Sequence, residues 1–305
     1  MGNTPSLSEY PKEYNYAHFL GDTLNSILNQ SWTNFEVIVI DDGSSDNSVA
    51  VASKFAAIDS RIRVFRHPDG KNHGLAVTLQ RGLSLAHGEF IAFLESDDLW
   101  EPDCLAYRME AISKKHADVV FNNVKPLPMP GADTDWFNSY IPRIMTEHIQ
   151  RASAVKGKYA AYSLRRAFLI ENKIPTFSCI MIRREILASL SFASPVPRWL
   201  DWWLWAQVAE QAKFVYLKQK LTCWRIHADS YNHKISIARY LKDGASIWKG
   251  FRGLLYKRYR DAGDLTAALF LLCPFFLRLF IRFMMLSKQC GVIECSRRIA
   301  KRIHR

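Results

Sequence analysis

Phe35-Glu-Val-Ile-Val-Ile-Asp-Asp-Gly-Ser-Ser-Asp46 is an apolar run that stops in two adjacent acids, a glycine and a polar cluster. The four β-branched residues from Val37 to Ile40 leave no polar face, so the strand they predict is buried on both sides. Helices must then cover both faces. Asp42-Gly43 supplies the following turn, and Ser45 or Asp46 is suited to cap the next helix. Capping does not require two acids directly after Ile40. Open parallel sheets bind ligands beyond the carboxyl ends of their strands, where acids accept hydrogen bonds from a nucleobase or ribose.

The same pattern recurs along the chain. Arg61-Ile-Arg-Val-Phe65, Phe90-Ile-Ala-Phe-Leu94 and Asp118-Val-Val-Phe121 read as further strands. Between them Ala17, Leu20, Leu24, Ile27 and Leu28, then Val49, Ala52, Phe55 and Ala56, then Leu75, Leu79, Leu83 and Ala86 fall at helical spacing. Strand–helix alternation predicts an α/β, Rossmann-like fold with a mostly parallel sheet flanked by helices. From Asn122 to Thr176 the pattern loosens, broken by Pro126, Pro128, Pro130 and Pro142. A second block holds a strand over Phe177–Ile182, a helix over Arg184–Leu190 and a Trp-rich helix over Asp201–Gln211.

The chain has 305 residues, 49% hydrophobic and 23% charged, which excludes a disordered or low-complexity protein. Its six cysteines form no Cys-x-x-Cys pair, which argues against a zinc module or a disulfide scaffold and fits a reducing compartment. No cleavable signal peptide is read at the start. Residues 1–233 hold 25 Lys and Arg against 25 Asp and Glu, and residues 234–305 hold 16 against 4. The whole excess of positive charge therefore sits in the last quarter. The domains are drawn as 1–233, split into halves at 14–121 and 122–233, followed by a basic helical extension over 234–305.

Three further stretches carry chemistry. Phe93-Leu-Glu-Ser-Asp-Asp-Leu-Trp-Glu-Pro102 runs a buried strand into three carboxylates within four residues. These repel one another unless a cation sits among them, and hard oxygen ligands suit Mg²⁺ or Mn²⁺ bridged to substrate phosphates. The alternative is an acidic helix start favoured by the helix dipole. Trp199-Leu-Asp-Trp-Trp-Leu-Trp205 sets an acid among indoles, which pack in a core or raise the acid's pKa by desolvation. Thr222-Cys-Trp-Arg-Ile-His-Ala-Asp-Ser-Tyr231 offers Arg225 for a diphosphate and His227 for a metal or phosphate.

Taken in order, these runs resemble the family 2 glycosyltransferases, which have the GT-A fold. Tyr14-Asn15, Leu24-Asn-Ser-Ile-Leu-Asn-Gln30, Phe35–Ser48, Asn72-His-Gly-Leu75 and Ala86–Asp103 carry the likeness, strongest over residues 14–105 and weaker over 177–231. The resemblance implies that Asp41, Asp42, Asn72, Asp97 and Arg225 contact a nucleoside-diphosphate-sugar donor, with a UDP-sugar the first choice. It places Asp97, Asp98 and His227 at an Mn²⁺ or Mg²⁺ ion, with Glu95 where the family carries the first acid of its D-x-D motif. It implies that Asp201 is the general base of an inverting transfer to a hydroxyl on a glycan or lipid-linked acceptor. The family's opening apolar strand has no counterpart in Ser6–Glu13, which leaves a catalytically silent sugar-nucleotide-binding homologue as the second reading.

Leu265–Leu286 is apolar but interrupted by Arg278 and Arg282, and its charge-free core, Ala267–Leu277, falls well short of the ~20 residues that span a bilayer. Leu277, Phe280, Ile281, Met284 and Met285 oppose the arginines on a helical wheel, the layout of an interfacial helix. The tail over Ser287–Arg305 holds six Lys and Arg against one Glu, which suits anionic headgroups. The expectation is a peripheral protein at the inner face of the cytoplasmic membrane, with no nucleic-acid partner because no recognition module is present.

Overall fold

A computed structural model describes residues 16–135, 137–138, 141, 167–169, 171–227 and 237–261. The expectations for the segment before Tyr16 and for Leu265–Arg305 lie outside the described residues. Chain order begins with α1 (Ala17–Leu28), β1 (Val37–Asp41), α2 (Ser48–Ile58), β2 (Ile62–Arg66), α3 (Leu75–Leu85) and β3 (Phe90–Ala92). It continues with β4 (Leu99–Trp100), α4 (Cys104–Lys115), β5 (Val119–Pro128), β6 (Ile180–Arg183), α5 (Arg184–Ala188), α6 (Leu200–Val208), β7 (Phe214–Ile226) and α7 (Ile237–Asp261).

The α/β class holds, and strand directions within it are mixed. β1 and β2 pair in parallel, Val37 opposite Ile62 through Asp41 opposite Arg66. The second sheet has the order β3-β6-β5-β7-β4. β5 and β7 are parallel, but β3/β6, β5/β6 and β4/β7 are antiparallel. β6 enters from the second block and runs back between β3 and β5, which local alternation in the first block does not foretell.

β5 also outruns its expected end at Phe121. Its ladder to β6 stops there, and Pro126 and Pro128 fall where only β7 is paired alongside. Proline is tolerated where one edge of a strand is open. β7 escaped the sequence reading because Lys218-Gln-Lys220 is exposed in the middle of an otherwise largely buried strand.

β1 is buried at every position, as its composition demands. Ile38 and Ile40 join Ile91 and Phe93 in one core layer, and Val37 and Val39 join Phe90 and Ala92 in the other. Trp202, Trp203 and Trp205 are all core residues. The start of the basic segment shares that core: Ile247, Trp248, Phe251, Leu255 and Tyr259 of α7 pack in the first layer, with Phe251 stacked on Trp203 at 5.4 Å.

Candidate functional site

The acids that end β1 are both buried and held by the chain. Asp41 accepts from Arg66 Nε at 3.0 Å, its register partner on β2, and from Ser44 N at 3.1 Å. Asp42 accepts from His73 N at 2.7 Å, Gly74 N at 2.9 Å and Asn72 Nδ2 at 3.1 Å, and His67 Nε2 lies 3.2 Å away. It therefore ties the loop before α3 to the end of β1. Gly43 makes the approach possible: its φ is +87°, and a Cβ there would lie 2.7 Å from Asn72 N. Asp46 accepts from Ser48 N at 2.9 Å and Ala17 N at 3.0 Å, joining the starts of α2 and α1.

A second acidic group ends β3. Glu95 accepts the Thr176 hydroxyl, and its N–H donates to Ser178 Oγ at 3.0 Å. Asp98 is turned inward, 1% exposed, and accepts from Arg225 N at 2.9 Å. Asp97 points outward, with Oδ2 3.1 Å from His227 Nε2. Arg225 donates through Nε to Asp97 O at 2.7 Å and lies over the Phe19 ring at 4.3 Å. His227 sits against Tyr16 and Phe19. Thr23 Oγ1 lies 2.8 Å from Ser96 O and 3.0 Å from Asp98 O, so α1 braces the loop from behind.

Behind these acids stands a buried cation. Arg108 donates to Asn122 Oδ1 at 2.6 Å and to Ser178 O at 2.8 Å, while Trp100 Nε1 also donates to Ser178 O at 2.7 Å. The Ser178 peptide is thus clamped with its hydroxyl toward the carboxylates. Local sequence marks this residue, since Ser178 is a lone polar position in the apolar run Phe177-Ser-Cys-Ile-Met-Ile182.

The electrostatics follow from burial and like charge. Burial pushes Glu95 up to about 8, and the neighbouring Asp97 and Asp201 charges add to the rise. Asp98 is likewise raised by burial and by Asp97 and Glu95. Asp201, in the first turn of α6, is pushed up to about 6 by burial, although Trp202 N and Asn172 Nδ2 donate to it at 2.7 and 2.6 Å. Glu95 is the carboxylate that senses both Asp97 and Asp201. Asn172 carries no local signal in the sequence and was not anticipated.

The structure therefore brings Glu95, Asp97, Asp98, Asp201, Arg225 and His227 together. Asp41, Asp42 and Asn72 form a separate group at the end of β1. Among the described residues no group of three His, Cys, Asp or Glu is arranged to hold a metal ion. Asp98 does not join Asp97 and His227 in such a set because it is turned inward to Arg225 N. A hard cation needs only one or two protein carboxylates when substrate phosphates complete its shell. The mutually repelling acids with Asp97 facing outward fit that chemistry.

Residues 13–191 match the model of the family described as glycosyl transferase family 2. Glycosyltransferase GlyG of Streptococcus pneumoniae is 36% identical over 110 residues, 36% of this chain and 36% of its own length. The UDP-Glc:alpha-D-GlcNAc-diphosphoundecaprenol beta-1,3-glucosyltransferase WfgD of Escherichia coli is 34% identical over 110 residues, 36% of this chain and 42% of its own. The matched part spans about half, or less, of the curated relatives' length. Among solved structures, the mannosyltransferase PcManGT from Pyrobaculum calidifontis in complex with GDP-Man and Mn²⁺ shares the fold, with a TM-score of 0.57 and 14% identity over 98% of this chain and 79% of that one.

Proposed function

Because the chain belongs to glycosyl transferase family 2, we propose that it transfers a sugar from a nucleoside-diphosphate donor to a hydroxyl acceptor with inversion at the anomeric carbon. One observation carries this reading: Asp201, in the first turn of α6, is held by an N–H on each carboxylate oxygen and is electrostatically coupled to Glu95 of the acidic cluster that follows β3.

In this reading the acceptor oxygen attacks the anomeric carbon as the bond to the diphosphate breaks, and the diphosphate leaves with the bonding electrons. Asp201 takes the acceptor's proton and later returns it to water. Asp97 and His227 are the residues that would hold Mn²⁺ or Mg²⁺, and a bound cation would supply positive charge to offset that of the leaving diphosphate. Arg225 adds a fixed positive charge beside Asp97, and Asp98 holds the Arg225 backbone in place. Asp41, Asp42 and Asn72 shape the nucleoside wall. A UDP-sugar is the first donor to try, since WfgD is named for UDP-Glc, and its diphosphoundecaprenol substrate makes a lipid-linked glycan the acceptor of choice.

The membrane side of the proposal rests on α7. Its outer face presents Lys242, Lys249, Arg252, Lys257 and Arg260, while Asp243 is buried against Arg198 at 3.0 Å. That stripe suits an anionic bilayer surface at the cytoplasmic face. Among the described residues no helix is long and apolar enough to cross a membrane.

Asp201→Asn is the direct test, read as UDP or GDP release from UDP-glucose, UDP-GlcNAc and GDP-mannose with Mn²⁺ present. Donor binding by calorimetry should persist while turnover collapses. Retained turnover assigns the base elsewhere, and wild-type binding without turnover points to a silent homologue.

A further inference from the structure

We propose that Asn172 is a positioning residue for the general base: its side-chain amide fixes the rotamer of Asp201 and holds that carboxylate in its ionised form. The proposal rests on the assignment of Asp201 as base, and its own basis is geometric. Asn172 Nδ2 lies 2.6 Å from Asp201 Oδ2. An amide can be turned end for end, so the donor role needs independent support. Asn172 Oδ1 accepts from Ile174 N at 3.1 Å, which requires the oxygen on that side and so presents the nitrogen to Asp201. Asp201 Oδ1 accepts from Trp202 N at 2.7 Å. Each carboxylate oxygen thus receives one N–H, which pins the plane of the group and leaves acceptor capacity on each oxygen for a hydroxyl.

The charged surroundings leave this role to Asn172. Glu95, in the loop after β3, is the titratable group that senses Asp201 from another element; pushed up to about 8, it is still protonated when Asp201 ionises and brings no positive charge that would favour the carboxylate. Glu171 and Lys173 flank Asn172 but pair with each other at 3.0 Å. Burial favours the neutral acid. A donor-only N–H is satisfied by the carboxylate and works against that burial effect. A base must be ionised when the acceptor arrives, so an amide is the group suited to this place.

The test uses the full chain with ¹³C-labelled aspartate. The Asp201 carboxyl signal is assigned by its loss in Asp201→Asn and titrated by NMR. Asn172→Asp is the informative variant, because it keeps the acceptor for Ile174 N and replaces only the donor. It should raise the apparent pKa of Asp201 by more than about one unit, since two carboxylates then share one site. Asn172→Ala should raise it by a smaller amount. The pH dependence of UDP release from the most active UDP-sugar should move by the same interval, with turnover recovered at high pH. An unmoved Asp201 titration in both variants, or turnover reduced equally at every pH, overturns the proposal. If Asp201→Asn retains turnover while the titration still responds to Asn172, the base assignment fails and the coupling of the two residues stands.

Discussion

Asp97 and His227 meet at 3.1 Å although 130 positions separate them in sequence, one in the loop between β3 and β4 and the other just beyond β7. Asp97 is partly exposed and His227 buried beside Arg225, while Asp98 next door is turned fully into the protein. This carboxylate–imidazole pair beside the acidic cluster is the place proposed above for a divalent cation.

Asp97→Asn should therefore lower Mn²⁺-dependent UDP release by about 100-fold or more, equivalent to roughly 3 kcal/mol of transition-state stabilisation. His227→Ala should weaken the Mn²⁺ dependence with a smaller loss. A Mn²⁺ titration of turnover separates them. An Asp97→Asn protein with the wild-type Mn²⁺ response removes Asp97 from the metal role.

Turnover should fall on the acid side through about pH 6, because a general base acts only when deprotonated and burial raises Asp201, the proposed base, to about 6. An ordinary aspartate would place that limb near pH 4. The profile of kcat/KM against pH checks this, and a limb near pH 4 rejects Asp201 as the group observed.

Stability should decline as pH rises. Glu95 binds its proton more tightly in the folded chain, up to about 8 against an ordinary 4.5, and Asp98 is raised in the same direction. The unfolded chain therefore holds fewer of these protons between about pH 4.5 and 8, and the folded state loses relative stability across that window. The melting temperature at pH 5.5 should exceed that at pH 8.5 by about 3 °C or more, the shift that accompanies ~1 kcal/mol in a domain of this size. Mn²⁺ should narrow the gap by stabilising the ionised cluster. Thermal melts at the two pH values, with and without Mn²⁺, decide the matter.

Gly43→Ala should destabilise the chain by about 2 kcal/mol, since a side chain at positive φ is strained. The added Cβ would also lie 2.7 Å from Asn72 N. Donor binding should weaken along with the melting temperature, because the loop held by Asp42 must move. Unchanged calorimetric affinity would detach that loop from the donor.

Phe251→Ala should cost about 3–4 kcal/mol, the usual penalty for emptying a buried aromatic site. Phe251 is stacked on Trp203 and meets Trp202 edge-on. Chemical denaturation measures the loss. A change below ~1 kcal/mol would mean that α7 adds little to the core.

Much of this protein is legible in short stretches. Val37–Ile40 dictates a strand buried on both faces, because four β-branched residues offer no polar side, and the helical spacings around it require covering layers. Family membership is carried by ordered motifs that need no coordinates. The clustering of Glu95, Asp97 and Asp98 is equally local, since all three lie within one turn of chain. Other features depend on residues far apart in sequence. Antiparallel insertion of β6 is set by pairing between blocks, and β7 hides its strand behind exposed lysines. The inward turn of Asp98 awaits the Arg225 N–H, and the donor for Asp201 comes from Asn172, 29 positions away. Hydrogen bonds fix a carboxylate's direction only when the fold delivers their donors, so composition and spacing named the acids while tertiary packing assigned which is partly exposed, which is turned into the core and which is held by a distant amide.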